Sequence, residues 1–189
     1  MALCDFVISA DIQGYDCDNP PVKGAESVGK LINRADIDLA SVSYVSGSNW
    51  LINDLHWKPE TKGYNIVQSG KTPFTGTQQE MQEGAYQNTI NNTFQFVILK
   101  QDENVAEQLF AITNGEFIAA IANKNGTYQI FGLETGLHTT AILRELYNDD
   151  TLAGWLVTMT EEGAAKGNIF LTKSVYNDIT NDHDAPETP

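Results

Sequence analysis

Alternating apolar and polar positions recur along most of this chain, and they predict a protein built mainly from β-strands. Residues Ile118 to Leu137 (IAAIANKNGTYQIFGLETGL) read as two apolar strands hinged on Asn125-Gly126, a dipeptide suited to a turn with positive φ at both central positions. Further strands are expected at Leu3 to Ile8, Val28 to Asp38, Ser41 to Val45, Asn49 to His56, Gly63 to Gln68, Leu137 to Leu146, Leu152 to Thr160 and Ile169 to Lys173. Within the second of these, Ala35 to Leu39 could also form a helical turn. Phe94 to Lys100 is apolar enough to be buried on both faces. Helical spacing is clearest where Val105, Leu109 and Ile112 follow Asp102, an N-cap residue, and precede Asn114-Gly115, which reads as a left-handed stop. Pro20-Pro21 makes Gly14 to Gly24 an extended loop.

Gly70 to Thr93 breaks the pattern with Thr, Gln, Asn and Gly around isolated apolar residues. Such a composition orders itself poorly alone. It is therefore expected to be either a floppy surface loop or an arm that orders on a second subunit, with Phe74, Gln78, Gln79, Met81 and Tyr86 as the arm's contacts. With 189 residues, the chain suits one domain over 1–176, burying about 70% of its unfolded surface. Residues 177–189, acidic and without Lys or Arg, are expected to be a disordered tail.

Charge adds to the picture: 25 acidic against 11 basic residues give a net −14. That excludes a basic nucleic-acid reader, which gains affinity by replacing counterions with Lys and Arg. No apolar run reaches the ~18 residues of a membrane helix, and the N-terminus lacks the basic region of a secretory signal, so assembly in a cytoplasm is expected. Cys4 and Cys17 could pair, but with no other mark of a secreted disulfide scaffold they read as free, buried thiols.

Residue chemistry points away from catalysis. His56, His138 and His183 lie far apart and near no cysteine, so no zinc pattern forms. Asp16-Cys17-Asp18 lacks the glycine and terminal glutamate of a calcium loop. No serine sits in a nucleophile elbow, and Gly132 and Gly136 lack the Lys-Ser/Thr of a phosphate loop, so bulges or close approaches suit them better. Asp149-Asp150 and Glu161-Glu162 read as solvated loop pairs. Trp50, Trp57 and Trp155 read as packing residues, although they could form a sugar-stacking platform. No enzyme activity, cofactor or metal is expected.

A set of short motifs carries a resemblance: CDFVI at 4–8, GYDCD at 14–18, VGKLINRADID at 28–38, KGYNIVQ at 62–68, the apolar strand before the helix, NGTYQIFGLETGL at 125–137 and GWLVTMT at 154–160. In that order they resemble tail-tube-like virion structural proteins of phages infecting Bacteroidetes bacteria. The resemblance implies a β-sandwich or barrel with one flanking α-helix, closed into a homo-oligomeric ring of six or more copies. Other tail or connector proteins would flank that ring, and double-stranded DNA would pass its lumen without specific binding. The implied location is the virion tail, assembled in the host cytoplasm. The acidic tail has no counterpart among these motifs, which leaves a connector or tail-end ring open beside a tube. The competing class is a phage or bacterial β-sandwich module that binds a carbohydrate or a cell-surface receptor.

Overall fold

A computed structural model of the chain describes residues 24–68, 70, 72–85, 87–144 and 154–183. The expected strand at Leu3 to Ile8, both cysteines, Tyr86, Asp149-Asp150 and residues 184–189 lie outside these. The described strands are β1 (Ala25–Asn33), β2 (Ser43–Tyr44), β3 (Leu51–Asp54), β4 (Tyr64–Val67), β5 (Gln78–Gln82), β6 (Thr89–Ile98), β7 (Glu116–Asn123), β8 (Tyr128–Phe131), β9 (Leu137–Arg144), β10 (Trp155–Ala164) and β11 (Ile169–Leu171). Two helices accompany them, α1 (Glu103–Asn114) and the short α2 (Lys173–Asp178). The protein is mainly β with one substantial flanking helix, as the sequence predicts.

All strands join one sheet, whose main path runs β2-β3-β11-β8-β7-β9-β10-β6-β5, with β1 attached to β7 and β4 to β1. β7 organises it. Its run FIAAI is buried at every position, because successive side chains of a strand point to opposite faces. Phe117, Ala119 and Ile121 enter one apolar cluster, while Ile118 and Ala120 enter a second. β1 repeats the division: Leu31 belongs to the first cluster and Ile32 to the second.

The first cluster is the interior of a barrel. β1, β7, β9, β10 and β6 pair in sequence, and β4 pairs with β1 from the other side. Between β4 and β6 the ring is closed by the buried amide of Gln68. Its Nε2 donates to Val97 O and its Oε1 accepts from Val97 N, both at 2.9 Å, so one side chain imitates a strand. Phe94 lies within ring contact of Phe74, Phe96 and Phe131 at the centre. Helix α1 covers this cluster with Val105, Leu109 and Ile112, and Asp102 accepts from Val105 N at 3.1 Å as the expected N-cap. The second cluster lies between β1, β3, β7, β8 and β11 and the short α2, which contributes Val175 and Tyr176, with Ile179 just beyond it.

Four expectations change. β6 starts at Thr89 and buries Phe94 and Phe96 fully while the alternate side chains are half-buried, so it has one core face. Helix α1 ends at Gly115 in extended rather than left-handed backbone (φ −97°); the glycine is needed because a Cβ there would meet the Phe117 ring at 2.6 Å. The β7–β8 turn carries positive φ at Gly126 (82°) but not at Asn125, with Gly126 N donating to Asn123 O, so the strands are joined by a wider turn than a two-residue hairpin. The acidic tail does not begin at Asn177, since Ile179 is fully buried and His183 bridges to Thr61.

Glu161 is the largest correction, since it is a strand residue of β10 that is 2% exposed and not part of a solvated loop pair. A bulge after it, at Glu162 and Gly163, turns Glu162 outward. Glu161 Oε2 accepts from Asn92 Nδ2 (2.6 Å) and Gly132 N (2.8 Å), and Oε1 accepts from Glu134 N and Thr135 N (3.1 Å each). The carboxylate thus takes up backbone donors that the loop between β8 and β9 would otherwise bury unpaired. Glu134 returns the contact, accepting from Ala165 N (2.5 Å) and Lys166 N (3.2 Å). Gly132 has to be glycine here: φ is 80°, and a Cβ would meet Phe117 O at 2.6 Å.

Glu161→Gln turns an amide donor towards backbone N–H groups and is expected to cost at least about 2 kcal/mol in urea unfolding. Gln68→Leu keeps the volume but strands the polar atoms of Val97, at about 1–3 kcal/mol by the same measurement.

Lys30 is buried on the second-cluster side of β1, its Nζ 3.4 Å from Asn177 O and Thr180 Oγ1 and 4.9 Å from the Tyr176 ring centre. Burial lowers its pKa from 10.5, opposed by the Asp178 charge. Burial likewise raises the Tyr176 phenol from 10.0 to about 12, while its hydroxyl donates to Val28 O. As pH climbs towards 10.5 the folded chain gives up the Lys30 proton before the unfolded chain does, so this contribution to stability rises. Between 10 and 12 the unfolded chain loses the Tyr176 proton first, so stability falls. Tyr176→Phe is expected to flatten that alkaline fall in urea titrations, and Lys30→Met to remove the rise before it.

Candidate assembly surface

Barrel closure leaves the sheet with two ends, and they differ. At one end β5 pairs only with β6 among the described residues, from Gln78↔Thr93 to Gln82↔Thr89. The segment expected to be an arm is therefore folded onto its own subunit. Thr75 Oγ1 donates to Thr72 O (2.6 Å) and Thr77 N to Phe74 O (3.1 Å), a hydroxyl-stabilised turn that the Thr-rich sequence encodes. This turn holds Phe74 at φ 57° and sends its ring into the barrel, into the space where Gly29 has no side chain. Phe74 is 5% exposed and is a core residue, not a contact awaiting a neighbour. Gln79 is also engaged internally, donating to Asn92 Oδ1 and Gly167 O, both at 2.6 Å. Of the expected contact residues, Gln78 and Met81 remain on the surface, with Met81 65% exposed on this edge strand.

At the other end, β2 and β3 form a short, shifted pair. Beside them Trp50 is 49% exposed, in contrast to the packing role expected from sequence. Lys166 Nζ stands 4.8 Å from the Tyr44 ring centre and 5.9 Å from that of Trp50, and donates to Asn49 O (3.2 Å). Trp57 and Trp155 are half-buried, as packing residues should be.

One cluster escaped the sequence entirely. The bridge between Thr61 and His183 brings His183 against Trp57, with rings stacked at 4.4 Å and 8°. His56, Asp54, Asp178 and Asp182 border the same hollow of about 440 Å³. His183 Nε2 lies 3.8 Å from Asp178 Oδ2, and His56 Nδ1 lies 3.7 Å from Asp54 Oδ2. Lys62 donates to Asp182 at 2.7 Å, and that hydrogen bond and charge hold the Lys62 pKa above its ordinary value. No signal in the local pattern links residues so distant in sequence. Among the described residues, no three His, Cys, Asp or Glu side chains are grouped to hold a metal ion. His138 stands apart from this hollow, 3.5 Å from Glu116.

Gly132 and Gly136 lie in the loop clasped by Glu161 and Glu134 and form no phosphate cradle, because the loop's backbone N–H groups of residues 132, 134 and 135 are spent on the Glu161 carboxylate. No described helix is long and apolar enough to cross a membrane. Compared with protein-family models, curated proteins and solved structures, the chain matches none.

Proposed function

We propose that this chain is a virion structural protein of a bacteriophage tail, in the tail tube or in a connector or tail ring. It self-assembles into a ring of six or more copies that forms part of the conduit for genome ejection. The reading begins with the motif resemblance, and the observation that supports it best is the outer edge of β5, which pairs with β6 alone among the described residues, with Met81 exposed on that strand. Strand edges of this kind template pairing with another chain unless they are covered. The two sheet ends are unlike each other, as a head-to-tail ring requires; a two-fold dimer would need one self-complementary patch. The net charge of −14 suits a wall that a polyanion must slide past, since phosphate affinity grows with each cation offered to it.

A second reading has one specific support, the exposed Trp50 beside Tyr44 and Lys166, which a carbohydrate ring could stack on. It would make the protein a binding module for a carbohydrate or surface receptor.

Size analysis with light scattering, and negative-stain images, distinguish the two. Rings or tubes are expected at high concentration; a strict monomer that binds glycans through Trp50 would sink the tail reading. Met81→Asp is expected to shift the population to single copies without changing the melting temperature, because Met81 makes little contact with its own core. Deleting residues 71–92 is a poorer probe, since it removes Phe74 and the start of β6 from the fold.

A further inference from the structure

An open groove of about 810 Å³ lies between the 72–79 segment and the β7–β8 hairpin. Phe74, Ile121 and Phe131 supply its apolar lining, and Gln78 of the unpaired strand stands at its side. In a chain with 25 acidic residues, none of the groove's described lining residues is acidic, and the charge among them is Lys124. Gly24, where the 23 residues preceding the described fold join it, is itself on the rim.

We propose that the groove is the docking site for the chain's own N-terminal segment, with Leu3 to Ile8 laid along it as an added strand. Three observations converge on that occupant. The segment is strand-like and apolar: period-two alternation puts Cys4, Phe6 and Ile8 on one face and Leu3, Asp5 and Val7 on the other, and the first face suits a groove floored by the edges of the core residues Phe74, Ile121 and Phe131. Its charge is complementary, because residues 1–23 contain Asp5, Asp11, Asp16 and Asp18 against Lys23 alone, while the groove offers Lys124. Its tether is long enough, since residues 9–23 span up to about 50 Å when extended, and a segment joined at the rim has an effective concentration of about millimolar. The docking is intramolecular; it takes up the Gln78-Gln79 end of β5 and leaves Met81, which does not line the groove, for the neighbour that the tail-ring reading requires.

Cysteine cross-linking of the full chain tests it. In a Cys17→Ser background Cys4 is the remaining thiol, and Gln78→Cys is added at the groove or, as a control, Lys173→Cys on α2. A disulfide requires Cα atoms about 4–7 Å apart, so mild oxidation with copper phenanthroline reports contact. The expected product is an intramolecular disulfide at position 78, seen as a faster monomer band on a non-reducing gel, and none at position 173. Covalent dimers alone, equal reaction at both positions, or no reaction at position 78 would overturn the proposal. Independently, Phe6→Asp should speed hydrogen exchange at the groove end of β5, residues 78–79, by about tenfold, leaving α1 unchanged. Unaltered exchange at the groove would overturn it too.

Discussion

β7 must be apolar on both faces, and most of the architecture follows from that. A strand with one solvated face can alternate apolar and polar residues, but the FIAAI run has no side chain that could meet water. Each face therefore needs its own cover. The barrel interior and α1 cover one, and α2 with β3, β8 and β11 cover the other. The alanines at 119 and 120 let both layers approach closely, and β1, paired along β7, inherits the same two-sided burial. That inheritance explains why Lys30 is buried: its register position falls on the α2 side, where the Asn177 carbonyl, Thr180, the Tyr176 ring and the Asp178 charge meet it.

The same constraint makes the 132–136 loop necessary. β8 and β9 both pair with one edge of β7, β8 at residues 119–122 and β9 at 116–117, so the chain has to step out and return between them. Stepping out at the centre of a sheet buries backbone donors, and Glu161 accepts from three of them. The reciprocal contact from Glu134 to the 165–166 backbone fixes the approach to β11. Two carboxylates thus do by hydrogen bonding what a continuous strand pair would have done, and the split lets one sheet serve two cores.

What was legible in the sequence was whatever local spacing decides. The α1 stripe and its Asp102 cap, the β7–β8 hairpin and the β10 run are all encoded within windows of about a dozen residues. β5 was not legible because QQEMQ has neither the alternation nor the β-branched residues of a half-buried strand; its pairing comes from β6 and from Phe74 entering the barrel ahead of it. Glu161 was misread because adjacent carboxylates look alike in sequence, and only the bulge at Gly163 sends one inward and the other out. The His56, Trp57 and His183 grouping depends on where the chain returns after α2, a tertiary fact with no local signature.

Gln68 connects closure to assembly. A barrel whose last gap is bridged by a side-chain amide needs no further backbone pairing there, so the strands around it present no edge to a neighbour. Among the described strands, β5, β2 and β4 pair on one side only, and the β4 side is the one that the Gln68 amide bridges. Had the last gap been left open, β4 and β6 would have offered additional edges and several competing ways to associate. The β5 and β2 ends are unlike, and a contact between unlike surfaces, were copies to make it, would give a ring if its rotation closed and an open filament if it did not.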